Sequence, residues 1–118
     1  MEKESVVVKE KVYTKRIRAK VSSFSEIINR DIPVLVDFYA DWCGPCKHMG
    51  PVLKEVKDNL GDKVSIIKID VDKNETLSSK YHVRGVPTFI LFKSGKQLWR
   101  HSGIVAKNEL ISIINEFS

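Results

Sequence analysis

The sequence predicts an α/β domain with a central mixed five-stranded β-sheet flanked by helices on both faces, in the order βαβαβαββα. Three observations predict it. First, the runs VLVDFYA (34–40), VSIIKID (64–70) and TFILFK (88–93) are β-branched and aromatic throughout, as strands buried on both faces are. Second, the segments between them repeat apolar residues every three or four positions, which is the period of a helix with one buried stripe. Third, the run TFILFK is followed by SGK, a tight turn, so its successor folds back as a hairpin partner. Strand–helix alternation implies right-handed crossovers and parallel pairing in the centre, and the hairpin adds an antiparallel edge.

The elements follow in chain order. Residues 1–15 are charged and poor in packing residues, so they form an N-terminal extension, either without fixed structure or prolonging the first strand. The folded domain then runs over 16–118. RIRAKV (16–21) alternates polar and apolar residues and reads as a half-buried strand. Ser22 or Ser23 can cap a short helix that runs to about Asn29, with Phe24, Ile27 and Ile28 on one side. Pro33 ends the connection into VLVDFYA. Met49, Val52, Leu53, Val56 and Leu60 mark the long helix, Pro51 inside it should kink it, and Gly61 ends it. Glu75 to Tyr81 forms a short helix after VSIIKID. QLWRHS is the hairpin partner of TFILFK, and Leu110, Ile113, Ile114 and Phe117 face the last helix inward.

At 118 residues the chain is one domain, large enough to bury a core. Its hydrophobic fraction of 42% and charged fraction of 30% suit an ordinary globular protein. The formal charge of +5 is concentrated at the start: residues 1–20 hold seven Lys or Arg against three Glu, and the rest hold thirteen against twelve acidic residues. A nearly neutral body argues against a nucleic-acid face, which needs basic residues clustered on a folded surface. The first twenty residues hold no apolar run of a leader's length, and no segment has the roughly 18 apolar residues of a membrane span. Two close cysteines suit a reducing compartment, so a cytoplasmic, monomeric protein is expected.

The only cysteines are Cys43 and Cys46, in DFYADWCGPCKHMGP (37–51). A disulfide across so short a loop adds little stability, since that contribution grows with loop length. Zinc takes about four ligands and the pair supplies two. His48, His82 and His101 show no ligand spacing, so no metal is expected within one chain, and a site completed by a second chain stays open. The reactive reading is favoured by position. Cys43 falls at the end of a strand and the start of a helix, with Cys46 on the same side of the first turn. Helix N-termini present unpaired N–H groups and the positive end of the macrodipole, which stabilise a thiolate. Cys43 should then be an exposed nucleophile, and Cys46, one turn in, a shielded resolving thiol.

WCGPC (42–46) resembles the active-site sequence of the thioredoxin family, and the resemblance covers about residues 16–118. It also rests on VLVDFYADWCGPCK, Pro51, KIDVD (68–72), RGVPT (84–88), KSG (93–95) and Gly103, all in the family's order and spacing. The resemblance implies the thioredoxin fold and a dithiol–disulfide oxidoreductase that reduces protein disulfides and cycles through a Cys43–Cys46 bridge. It implies disulfide-containing target proteins and a thioredoxin reductase as partners, and no bound cofactor. Asp37 matches the family's acidic residue, the expected proton acceptor for Cys46, because a carboxylate buried in an apolar strand holds its proton more tightly. Lys68 matches a family lysine near this carboxylate, and its two readings are a modulator of Asp37 or a surface lysine with its head in water. Pro87 matches the family's cis-proline beside the disulfide. Trp42, Gly44, Pro45, Val86, Gly103 and Ile104 match the flat apolar surface that receives targets, with the Val86 backbone free to pair with an extended segment.

Tyr39 and Asp41 replace the family's frequent Trp and Glu or Pro, and Gly50 stands where Ala is common. Trp99 lies outside the motif and is assigned to packing. Two rival readings are a thiol oxidase or isomerase and a non-catalytic binding subunit. Pro45 argues against the first, because Gly-Pro is the family's reducing pair, and the presence of both cysteines removes any need for the second.

Overall fold

The computed structural model describes residues 8–10 and 24–118. Its order is β1 (Val8–Glu10), α1 (Phe24–Ile28), β2 (Val34–Tyr39), α2 (Gly44–Leu60), β3 (Ser65–Asp70), α3 (Glu75–Lys80), β4 (Thr88–Lys93), β5 (Lys96–Ser102) and α4 (Lys107–Glu116). This is the order the sequence predicts. Four strands of six or seven residues make the body of the sheet, and a three-residue fifth lies at its edge. The strand expected over 16–21 and the cap expected at Ser22 or Ser23 lie outside the described residues. The strand that does cover the free edge of β3 comes from further upstream, at Val8–Glu10. An uncovered edge leaves a row of backbone donors and acceptors unpaired, and any extended segment within reach can close it.

The sheet runs β1-β3-β2-β4-β5. β2 pairs with β3 in parallel and with β4 in antiparallel register, so it is the central strand. All six of its residues are buried. Alternation sends Val34, Val36 and Phe38 to one face, where they join Phe24, Ile28, Ile67, Ile69, Leu77, Ile90 and Phe92 under α1 and α3. Leu35 faces the other way, into a core with Met49, Leu53, Val56, Ile66, Phe89, Leu110 and Ile114 beneath α2 and α4. On the first face Phe24, Tyr81 and Phe92 pack edge to face, with ring centroids 5.5 to 5.7 Å apart.

α2 carries Pro51 in its interior, which leaves the Lys47 carbonyl without its usual helical donor. The helix stops at Gly61, whose φ of 56° is the left-handed conformation that glycine adopts at least cost. Lys57 closes this end. Its buried side chain turns back, and Nζ donates to the carbonyls of Gly61 at 2.9 Å and Val64 at 2.6 Å. The β4–β5 hairpin turns at Ser94 and Gly95, both at positive φ, as a tight two-residue turn matched to strand twist demands. Their N–H groups donate to Arg30 and Ile28, which ties the turn to the end of α1.

Leu53 is fully buried on α2 between the sheet and α4. Leu53→Ala should lower stability by about 3 kcal/mol, through lost apolar contact and the cavity it leaves. A fall in the urea midpoint at unchanged slope checks this.

Candidate functional site

The site begins where β2 runs out. The Ala40 carbonyl accepts from the Cys43 N–H at 3.2 Å and closes a short turn over Asp41 and Trp42. Cys43 is the N-cap of α2, with extended φ and ψ of −92° and 112°. N-cap side chains ordinarily accept a hydrogen bond from the third helical residue. Here that acceptor is sulfur: the Cys46 N–H donates to Cys43 Sγ at 3.1 Å. Pro45 in the same turn has no N–H, so its fixed φ favours the helix start and no donor is stranded.

Cys43 and Cys46 are joined by a disulfide, with Cα atoms 5.3 Å apart, well within the usual span. Both are buried against Tyr39 and Ala40, with Val71 and Val86 packed alongside. The expected contrast in exposure is absent, since each cysteine is only 4% exposed. The bridge folds both sulfurs onto the same apolar wall. What separates the two cysteines is position: Cys43 caps the helix and receives a backbone N–H, and Cys46 lies inside the first turn.

Asp37 is 1% exposed and lies in the middle of β2, with Lys68 as its register partner on β3 and Phe89 on β4. Alternation puts it with Leu35 and Tyr39 on the face that α2 covers. Lys68 is half-buried, and its Nζ stands 4.2 Å from the centre of the Tyr39 ring, a cation–π contact. The sequence had offered Tyr39 only as a mild departure. In the structure its ring touches the disulfide cluster and also carries the Lys68 ammonium. Burial, then the negative charges of Asp70, Asp41 and Asp37, push the Tyr39 phenol above its ordinary 10.0.

Of the other expected residues, Val86 packs against the disulfide cluster. The Val86–Pro87 bond is cis, with Pro87 buried and Val86 half-buried against the cysteines. The Pro87 carbonyl accepts from the Gly103 N–H at 2.8 Å, which joins that loop to the one after β5. Gly103 turns at φ 101°, a conformation open to glycine. Ile104 beside it is 51% exposed and Trp42 is 71% exposed, and these are the two large apolar side chains left open among the described residues. Gly44 and Pro45 are exposed between them in sequence. Trp42 is oriented rather than loose, since its Nε1–H donates to Asp72 Oδ2 at 2.9 Å. Asp72 is in turn fixed by its own N–H donating to Asp70 Oδ1 at 2.9 Å. Sequence reasoning missed Asp72, because nothing local marks a contact thirty residues away. Trp99 is half-buried against the α2–α4 core, as its assignment to packing implies, and also stacks on His101. Among the described residues no group of three or more His, Cys, Asp or Glu is placed to hold a metal ion.

A raised phenol pKa means the folded state holds the Tyr39 proton more tightly than the unfolded chain does. Its stabilising contribution is therefore complete below about pH 10 and is lost as pH rises through the higher folded value. Tyr39→Phe should flatten that alkaline loss, which urea unfolding at a series of pH values from neutral upward would show. A loss of the same steepness in the variant would remove Tyr39 as its source.

Comparison with known proteins agrees with this arrangement. The Thioredoxin family model matches residues 15–116. The rice protein Thioredoxin Y, chloroplastic, is 47% identical over 105 residues, covering 86% of this chain and 62% of its own length. The chain thus spans less than two thirds of that relative. A thioredoxin from Rickettsia felis is 44% identical over 96 residues, covering 80% of this chain and 91% of its own. Among solved structures, a mutant thioredoxin from Halobacterium salinarum NRC-1 superimposes with a TM-score of 0.70 at 41% identity, over 77% of this chain and 78% of that one. Oxidised mitochondrial thioredoxin 3 from Saccharomyces cerevisiae gives 0.71 at 32% identity, over 79% and 86%. With its disulfide at the start of α2 and its cis-proline alongside, the chain belongs to the thioredoxin family.

Proposed function

We propose that the chain is a thiol–disulfide oxidoreductase that reduces disulfides in target proteins. The observation that carries this reading is the Cys46 N–H aimed at Cys43 Sγ at the N-terminus of a long helix. Once the bridge is reduced, that donor and the helix dipole favour a Cys43 thiolate. The thiolate attacks one sulfur of the target disulfide, forming a mixed disulfide and expelling the other sulfur, which takes a proton. Cys46 then loses its proton and attacks Cys43 Sγ. The second target sulfur leaves and is protonated, and the Cys43–Cys46 bridge closes. Two electrons have passed to the target. A thioredoxin reductase is the partner that returns them.

Asp37 is the group we assign to accept the Cys46 proton through a water. It is buried on the sheet face beneath α2, and burial disfavours the charged form of a carboxyl group. Lys68, its neighbour across the sheet, modulates it from a seat over the Tyr39 ring. Trp42, Gly44, Pro45, Val86, Pro87, Gly103 and Ile104 form the docking face, whose exposed apolar side chains and half-buried Val86 suit an extended target segment. No helix among the described residues is long and apolar enough to cross a membrane. The two-cysteine composition favours a reducing compartment, and we place the protein in the cytoplasm as a monomer.

Two results test the mechanism. With dithiothreitol as donor the protein should reduce insulin, and Cys43→Ser should return the rate to the dithiothreitol background while Cys46→Ser accumulates mixed disulfides with targets. Full activity in Cys43→Ser would refute the mechanism. Asp37→Ala should slow resolution of the mixed disulfide at neutral pH by about a hundredfold and leave the first attack intact. Unchanged resolution rates from weakly acidic to weakly alkaline pH would remove Asp37 as the base.

A further inference from the structure

Besides the Trp42–Pro45 stretch at the start of α2, the docking face assigned above draws on two irregular loops. One is the segment from Tyr81 to cis-Pro87, and the other is Gly103–Ile104. Both are secured from the same place. Arg100 and His101 are consecutive residues of β5, so their side chains leave opposite faces of the sheet. Arg100 is the register partner of Ile90, which belongs to the core under α1 and α3. Its guanidinium donates through Nη1 to the Tyr81 carbonyl at 2.5 Å and through Nη2 to the His82 carbonyl at 2.7 Å. These are the carbonyls where α3 ends, and His82 there turns at φ 56° before the chain reaches Arg84, Val86 and Pro87. A charged fork that spans two successive carbonyls fixes the root of the loop.

His101 is the register partner of Phe89, on the α2–α4 side. Its Nε2 lies 3.1 Å from the Ile104 carbonyl oxygen. A carbonyl only accepts, so Nε2 must carry the proton. The imidazole is itself braced, stacked on Trp99 with centroids 5.9 Å apart and planes 4° from parallel. Trp99 packs against the core. A line of contacts thus runs from the core through Trp99 and His101 to the backbone of one of the two exposed large apolar residues.

We propose that Arg100 and His101 are positioning residues that pre-order the two loops of the target-docking face, one loop from each side of β5. The proposal rests on the docking face assigned under Proposed function. Neither residue touches the cysteines' chemistry in this scheme. A loop already held in its binding conformation spares the ordering cost that a mobile one meets on association, so loss of either anchor weakens target binding and leaves electron transfer alone.

Three variants test this. His101→Phe keeps the ring and its stacking but removes the donor. His101→Gln restores an N–H near the same place. Arg100→Met keeps the stem and removes the fork. With insulin as substrate, His101→Phe and Arg100→Met should each raise KM about fivefold, with kcat within about twofold, and His101→Gln should recover most of the loss. Reduction of a small aromatic disulfide, which does not need the docking face, should stay within about twofold. Amide exchange gives a second readout that needs no activity. His101→Phe should speed exchange of the Gly103 amide, bonded to Pro87, and Arg100→Met should speed exchange at His82 and Val83, bonded to Ser79 and Ser78. Unchanged KM, an equal loss with the small disulfide, or unchanged exchange at these amides would overturn the proposal. If the wild-type protein reduces neither substrate, the oxidoreductase reading fails, and amide exchange alone then decides the positioning role.

Discussion

β2 is the strand on which everything else is set. It is hydrogen-bonded along both edges, to β3 and to β4, and every one of its residues is buried. A strand so enclosed cannot shift by one residue, because that would drive Val34, Val36 and Phe38 out of one core and Leu35 out of the other. Its fixed register delivers Ala40 to one point, and the Ala40 carbonyl holds the Cys43 N–H there. α2 is then launched from a defined place, with its first turn over Tyr39. The same register puts Asp37 two residues behind Tyr39 and beside Lys68. A carboxylate inside this strand is costly to bury, and this cost motivates the role proposed for Asp37.

From that origin the site is assembled by short-range chemistry. Sulfur takes the place of the oxygen that usually caps a helix, so the interaction that starts α2 is also the one that conditions Cys43. The walls come from elsewhere in the chain. Val71 follows β3, Val86 precedes β4, and Gly103 and Ile104 follow β5. The bond from Gly103 to the Pro87 carbonyl joins two of these walls, and the bond from Trp42 to Asp72 joins the CxxC turn to a third. The face we assign to target docking thus joins the start of α2 to loops that are tied to one another and to the sheet.

Whatever depends on local pattern was legible in the sequence. The β-branched runs are strands, the three-and-four spacing of Met49, Leu53, Val56 and Leu60 is the buried stripe of α2, and SGK turns a hairpin. Gly61 ends α2 because the chain needs a positive φ there. The cysteine pair, Asp37 and Pro87 were visible as residue types at a known spacing. What was not legible is contact between distant segments. Val8–Glu10 is too short to show a period, and only the open edge of β3 makes it a strand. Nothing local marks Lys57 as the residue whose side chain closes the end of α2 on the carbonyls of Gly61 and Val64. The equal burial of Cys43 and Cys46 follows from the shared wall of Tyr39, Ala40, Val71 and Val86, which no local window contains. Lys68 over Tyr39, and Arg100 and His101 on their loops, are likewise products of register.

The central claim is that position at the helix start, and not exposure, distinguishes the two sulfurs. Alkylation of the fully reduced protein by iodoacetamide as a function of pH, with the modified cysteine identified by mass spectrometry, tests it directly. The account predicts that Cys43 is modified well below the pH of about 8.5 at which a free thiol half-ionises, while Cys46 in the same molecules stays unmodified. Equal modification of the two cysteines, or faster modification of Cys46, would contradict it.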